Sequence, residues 1–390
     1  MKKLRFGVVG IGNMGSSHVI YLSEGKVNNA EITAACDLKQ SRLDWAKEIN
    51  PDLATFIDYK EMINSGLIDA IIIATPHYLH PVIGIDAFKA GLHVMSEKPL
   101  GVYTIQAQEF IEEAKKAKKN GQCFGLMLNQ RTEPYYQKIR EIVKSGELGA
   151  LKRSVWIITN WYRTQDYYNS GGWRATYAGE GGGVLINQCP HNIDLWQWIV
   201  GMPCKIRAFA NFGKYHDIEV EDEVTAYAEY PDGSTGVFIT TTGECPGTNR
   251  LEISGTKGKL VYEGGKLMLT KLEVDERKFC FEADEGFSTI PSTTEEVKVE
   301  GITKQHRTVT QNFTDHILEG KELLAPGEDG IYSLSIANAM VLSTWTDDWV
   351  ELPNDGKKYW EILQEKIKTS RVKDDVEDKV SDLSNTYNSK

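Results

Sequence analysis

Four groups of residues in this chain have types and spacings suited to chemistry. The first is Gly10-Ile11-Gly12-Asn13-Met14-Gly15, a G-x-G-x-x-G run directly after the apolar stretch Leu4–Val9. After a strand and before a helix, Gly10 permits the tight turn and Gly12 lets backbone approach a pyrophosphate. Gly15 lets helix and strand pack closely. The phosphates would then meet the positive end of the following helix. Asp37 follows Gly15 by 22 residues, at the end of the next apolar run. Its carboxylate suits both hydroxyls of an adenosine ribose and repels a 2′-phosphate, so the spacing predicts NAD rather than NADP. Arg42 is the nearby residue that would tolerate that phosphate.

The second group is Glu97-Lys98-Pro99, at the end of the apolar run 93–96. A lysine there has no packing reason to exist, although a structural pairing with Glu97 is the plain alternative. Ala74-Thr75-Pro76-His77 ends another such run. Ligands of open parallel sheets bind at the carboxyl ends of strands, so both segments are expected to face the cofactor. The third group lies in residues 181–194, where Gly181-Gly182-Gly183 precedes Asn187 and His191. Pro190 is tolerated only in a first helical turn, so a helix is expected to start near Asn187. That would set Asn187 and His191 on one face, about 5–6 Å apart at Cβ. A histidine beside Asp194, Leu195 and Trp198 is ordinarily a core residue. The glycines favour a ligand site, because they let backbone come close.

The fourth group is a stretch of seven aromatic residues between 156 and 177, among them Trp161, Tyr162 and Trp173, interleaved with Arg163 and Arg174. Flat aromatic faces beside fork-shaped donors suit a sugar. An aromatic core or a subunit interface is the alternative. Two arginines would equally clamp a carboxylate, which keeps a uronate or keto acid open.

The elements that must position these residues follow from periodicity. Strand-like runs at 4–9, 31–36, 70–74, 93–96 and 123–127 alternate with helical segments such as 104–119, the pattern of a doubly wound parallel sheet. Residues 1–130 are therefore expected to form a Rossmann domain. Runs at 152–159, 205–211, 225–230, 234–242, 250–254 and 259–263 succeed one another without helices between most of them. They predict a mostly antiparallel open sheet within 131–366, the substrate-binding and oligomerisation domain, with helices near 305–319 and 331–346. The fold class is α/β plus α+β. The polar tail 367–390 is expected to be loosely held.

Composition excludes several roles. With 390 residues, 41% hydrophobic and 25% charged, the chain has ordinary globular composition. A formal net charge of −11 argues against nucleic acid or an anionic membrane as partner. No 18-residue apolar run exists to span a bilayer. The six cysteines are scattered without a Cys-x-x-Cys, so no metal site is expected and a reducing cytoplasm is.

Taken together, these motifs resemble the Gfo/Idh/MocA oxidoreductase family. Its marks are the N-terminal dinucleotide fold, a Glu-Lys-Pro strand end and a Gly-Gly-Gly…His-x-x-Asp segment. The similarity continues through Asn312-Phe313, Glu319-Gly320 and Pro326-Gly327-Glu328-Asp329-Gly330 to a helix ending near Trp345. The resemblance implies that Lys98 and His191 are the catalytic lysine and histidine, that Pro99 follows a cis peptide, and that the cofactor shell also includes Leu38, His80 and Asn129. Asn187 stands where the family often has an aspartate. Unable to ionise, it would orient the substrate or the imidazole by hydrogen bonds. The pieces Trp161-Tyr162-Arg163 and Gly171-Gly172-Trp173-Arg174 are similar to those of glycoside and anhydrosugar 3-dehydrogenases.

The implied activity is NAD-dependent oxidation of a secondary hydroxyl of a sugar, polyol or glycoside. His191 is the general base and Lys98 stabilises the alkoxide. Trp161, Tyr162, Arg163, Trp173, Arg174 and Asn187 contact the substrate. An unperturbed His191 would give the oxidation one ionisation near about 6.5. A redox-assisted glycoside-cleaving enzyme and a non-catalytic NAD- and sugar-sensing regulator are the other classes. Retained Lys98 and His191 speak against the regulator. A homodimer or homotetramer is expected through the solvated face of the second sheet, near Phe209, Phe212, Tyr227, Phe238 and Ile239.

Overall fold

Alternating apolar runs and helices build the first of two sheets. In the computed structural model, which describes residues 3–371 and 373, six strands pair in parallel. They are β1 (Leu4–Val9), β2 (Ala30–Cys36), β3 (Ala54–Phe56), β4 (Ala70–Ile73), β5 (His93–Ser96) and β6 (Phe124–Leu126). Their order is β3-β2-β1-β4-β5-β6. Every residue of β4 is buried, as helices on both faces of a parallel sheet require. The strand order reverses between β1 and β4, and a crevice opens at their carboxyl ends there.

The second sheet collects β7 (Leu151–Ile158), β8 (Lys205–Phe212), β9 (Glu221–Glu229), β10 (Thr235–Thr241) and β11 (Asn249–Gly255). It continues with β12 (Gly258–Glu263), β13 (Lys266–Leu272), β14 (Ser292–Glu296) and β15 (Val350–Glu351). The order is β14-β13-β12-β11-β7-β10-β9-β8-β15. The β7–β10 pair is parallel and its other pairings are antiparallel. Side chains of β9 alternate between buried and exposed, the mark of a sheet packed on one face.

The helix Pro190–Val200 helps to cover the packed face. Its Trp196 ring lies 5.5 Å from that of Phe238. Phe238 is therefore core, fully buried in register with Trp156 and Ala226, and not part of the solvated face. Phe209 (59% exposed) and Tyr227 (40%) do lie on that face.

The chain returns to the first domain late. In the helix His306–Glu319, Phe313 reaches the Phe6 ring at 6.4 Å, and the Thr310 hydroxyl is 2.8 Å from that of Tyr21. Part of the 367–390 tail is anchored. Ser370 and Arg371 bond to Glu219, and Lys373 Nζ donates to the carbonyls of Tyr168 (2.9 Å) and Arg174 (3.1 Å). The remainder of the expected loose tail, 374–390, lies outside the described residues.

Candidate active site

The glycine turn has the geometry a pyrophosphate needs. Gly10 takes φ +84°, and a Cβ on Gly15 would sit 1.7 Å from the Gly10 carbonyl oxygen. A Cβ on Gly12 would meet nothing within 4 Å, so that backbone is open to a ligand. The helix Asn13–Ser23 starts here with no side-chain cap and no acidic residue in its first turn. Its positive end thus faces the glycine turn, which suits an anion. Asp37 accepts the Ile11 N–H at 2.7 Å and the Lys39 N–H at 2.9 Å. Those bonds fix the carboxylate, which keeps lone pairs for a ribose diol. These residues fit a dinucleotide.

A cavity of about 580 Å³ runs from this turn to the second domain. On the turn side it is lined by Gly10, Ile11, Gly12, Asn13 and Met14, with Asp37, Leu38 and Arg42. Ala74, Thr75, Pro76, His77 and His80 follow. Beyond them come Glu97 and Lys98, then Trp161, Arg163, Trp173 and Arg174, with Asn187 and His191. Three expected site residues do not line it. Gly15 is packed under the turn, and Tyr162 is 47% exposed at the surface. Asn129 is buried, its amide donating to Gln305 at 3.0 Å. Ser170 and Gln188 line the cavity without having been expected there, and so does Tyr167, one of the seven aromatics of the 156–177 stretch.

Lys98 stands two residues beyond β5, before a cis peptide to Pro99. Its Nζ donates to the Asn187 carbonyl at 2.9 Å. Glu97 does not pair with it. That buried carboxylate accepts from His18 Nε2 at 2.8 Å. Burial pushes Glu97 upward, but the hydrogen bond and charge of His18, with His306 and Lys98, outweigh it and hold the group at about 2. Burial lowers the Lys98 ammonium, with Arg174 and Arg163 adding to the effect, while Glu97 and Glu180 oppose it.

His191 is buried, and among the described residues neither ring nitrogen has a partner. Burial and then the Lys98 charge hold it well below the usual imidazole range, which displaces the ionisation expected near 6.5. The helix starts at Pro190 with Cys189 as its N-cap, so Asn187 lies in the preceding turn and not on the His191 face. Asp194 is engaged elsewhere, in a two-point bond with buried Arg131 at 2.8 and 2.7 Å. Arg131 also reaches Asp329 at 2.6 Å, which fixes the His191 helix to the flanking segments.

A carboxylate stands beside Asn187 after all. Glu180, 1% exposed, accepts from the Asn187 amide and from the Ala175 N–H at 2.6 Å. Burial raises it, while Arg174 is the largest opposing influence. Its single local signal was an acidic residue next to the glycine run. The turn itself is held from β9. Glu221 Oε1 accepts the N–H of Gly183 at 2.9 Å and of Leu185 at 3.2 Å. A Cβ on Gly183 would lie 2.0 Å from the Glu221 carbonyl oxygen, so only glycine fits.

Among the described residues no group of three or more His, Cys, Asp or Glu is placed to hold a metal, and no helix is long and apolar enough to cross a membrane. Residues 4–124 match an oxidoreductase family with an NAD-binding Rossmann fold, and residues 136–261 match the GFO/IDH/MocA C-terminal domain. An uncharacterized oxidoreductase, YrbE of Bacillus subtilis, is 25% identical over 87% of this chain and 93% of its own. The myo-inositol 2-dehydrogenase of Thermotoga maritima is 26% identical over 66% of this chain and 74% of its own. The WlbA dehydrogenase of Bordetella pertussis, solved with NADH and UDP-GlcNAcA, superposes with TM-score 0.75 at 25% identity, covering 90% of this chain and all of that one.

Proposed function

The chain belongs to the Gfo/Idh/MocA oxidoreductase family, and from that premise we propose that it is an NAD-dependent dehydrogenase of a secondary hydroxyl on a sugar, polyol or glycoside. The observation that carries this reading is His191. Its two ring nitrogens are buried and, among the described residues, unpartnered, and the residue lines the same cavity as the glycine turn and Lys98. Such an orphaned buried group calls for a ligand. The names of the inositol and nucleotide-sugar relatives support the substrate class. Asp37, held rigid at the turn, favours NAD over NADP.

NAD, when bound, supplies the hydride acceptor. The remaining work falls to this chain. His191 is held neutral near pH 7 and takes the hydroxyl proton as general base. Lys98, fixed by the Asn187 carbonyl, stabilises the negative charge that develops on the substrate oxygen. Trp161 and Trp173 offer faces for the apolar side of a ring, and Asn187 is locked by Glu180. The protein works as a homodimer or homotetramer, paired through the face that carries Phe209 and Tyr227. All six cysteines are free thiols, which suits a reducing cytoplasm.

The test is NADH absorbance with a panel of sugars, inositols and glycosides, alongside product analysis. Net NADH with one substrate supports a simple dehydrogenase. Bond cleavage without net NADH, or binding of sugar and NAD with no chemistry at all, defeats it.

A further inference from the structure

The substrate side of the cavity carries more positive charge than its own residues neutralise. Lys98, Arg163 and Arg174 all line it. Glu97 is turned to His18, which leaves Glu180, hydrogen-bonded to Asn187 and the Ala175 N–H, as one carboxylate set against these three cations. The arginines bond to neutral acceptors, Arg163 to the Tyr162 carbonyl at 2.9 Å and Arg174 to the Tyr167 hydroxyl at 3.0 Å. Among the described residues neither arginine has an ion-pair partner, and the Arg163 Nε–H is buried with no acceptor.

Both guanidinium groups lie against aromatic rings. Arg174 is 4.6 Å from the centroids of Tyr167 and Trp173, and Arg163 is 5.2 Å from that of Tyr167. Stacking holds the flat face and leaves the N–H edge for a ligand. A neutral hydroxyl satisfies one such donor. A carboxylate takes two parallel bonds and brings the missing charge.

Resting on the dehydrogenase reading above, we propose that the substrate is a hydroxy acid of the sugar series, a uronate or an aldonate, whose carboxylate is held by Arg163 and Arg174 while its secondary hydroxyl lies at His191 and Lys98. The bound anion also offsets the influence of both arginines on Lys98, which keeps the ammonium charged for its role at the developing alkoxide.

Matched triplets decide it: an aldohexose, its hexuronate and the uncharged hexuronamide, in the gluco, galacto and manno series, together with the corresponding aldonates. Each is assayed for NADH formation and for calorimetric binding to the NAD-loaded protein. The best acid is expected to exceed its amide and its neutral sugar by about 10–100-fold in kcat/KM, the range of charge-assisted hydrogen bonds. Arg163→Gln and Arg174→Gln should each raise KM for the acid and collapse that preference, with NAD affinity retained. Preference for the neutral sugar or the amide, or no preference, overturns the inference while leaving the dehydrogenase reading intact. If nothing in the panel is oxidised, that reading fails and binding alone decides: acid binding lost in Arg174→Gln supports the carboxylate site, and no acid bound above its amide overturns it.

Discussion

His191 owes its expected pH behaviour to its immediate neighbours. Oxidation needs the neutral imidazole, and burial with the Lys98 charge lowers its pKa well below 6.5. The rate should therefore rise with pH along a limb below about 6.5 and be flat near pH 7. Lys98→Ala removes the nearby cation, so the residual limb should move to higher pH. The same change should cut kcat by about 10²–10³ with NAD affinity nearly unchanged, because the lysine acts on charge formed in the transition state. Unaltered turnover and an unmoved limb would leave Lys98 a merely structural residue. At the other end of the cavity, Asp37→Ser should weaken NAD and improve NADP, since it removes the carboxylate that excludes a 2′-phosphate. Steady-state KM values for both cofactors check this, and a wild type that already prefers NADP defeats it.

At the scale of elements, the turn 181–189 is shaped by β9 more than by its own sequence. Glu221 is buried, and burial outweighs its backbone hydrogen bonds to raise it to about 7. In the unfolded chain the same group ionises near its ordinary value of 4.5. Between those values the folded protein binds the extra proton, so this group's contribution to stability falls as pH rises from 4.5 to about 7 and is level above. Glu221→Gln keeps an acceptor for the Gly183 and Leu185 N–H groups and removes the titration. The Tm of wild type relative to this variant should be higher at pH 5 than at pH 7.5. A difference that does not change with pH would place the Glu221 titration elsewhere.

For the whole molecule, the proposed assembly places Phe209 and Tyr227 between subunits. Light scattering at micromolar concentration should give a dimer or tetramer, and Phe209→Glu with Tyr227→Glu should give a folded monomer. The charges would sit opposite their own copies in a closed symmetric interface. A wild-type monomer sinks the assembly without touching the chemistry of one cavity. Phe238→Glu is the contrasting change. It buries a charge against Trp156 and Trp196 and should prevent folding.

Some of this was legible in the chain itself. β1 and β5 occupy the residues their apolar runs mark out, and Asp37 and Lys98 stand at strand ends, because a short run and its glycine or proline stop are local features. The succession of strand-like runs with few helices between them likewise foretold the mostly antiparallel sheet. β3, β13, β14 and β15 lie outside the runs marked in the sequence: β3 and β15 are three and two residues long, β14 is an exposed polar edge strand, and β13 is joined to β12 by the short turn Gly264-Gly265. Periodicity also does not say which face of a sheet is core. Phe238 is inside because the helix Pro190–Val200 docks on its side. Asn187 precedes that helix, in a turn anchored by Glu221 from 38 residues beyond Gly183. Glu97 turns to His18, 79 residues away. The residue types and the order of the candidate site were thus written locally. Which carboxylate faces which cation was decided by tertiary contact, since a buried charge takes its partner from whatever the packing brings within reach.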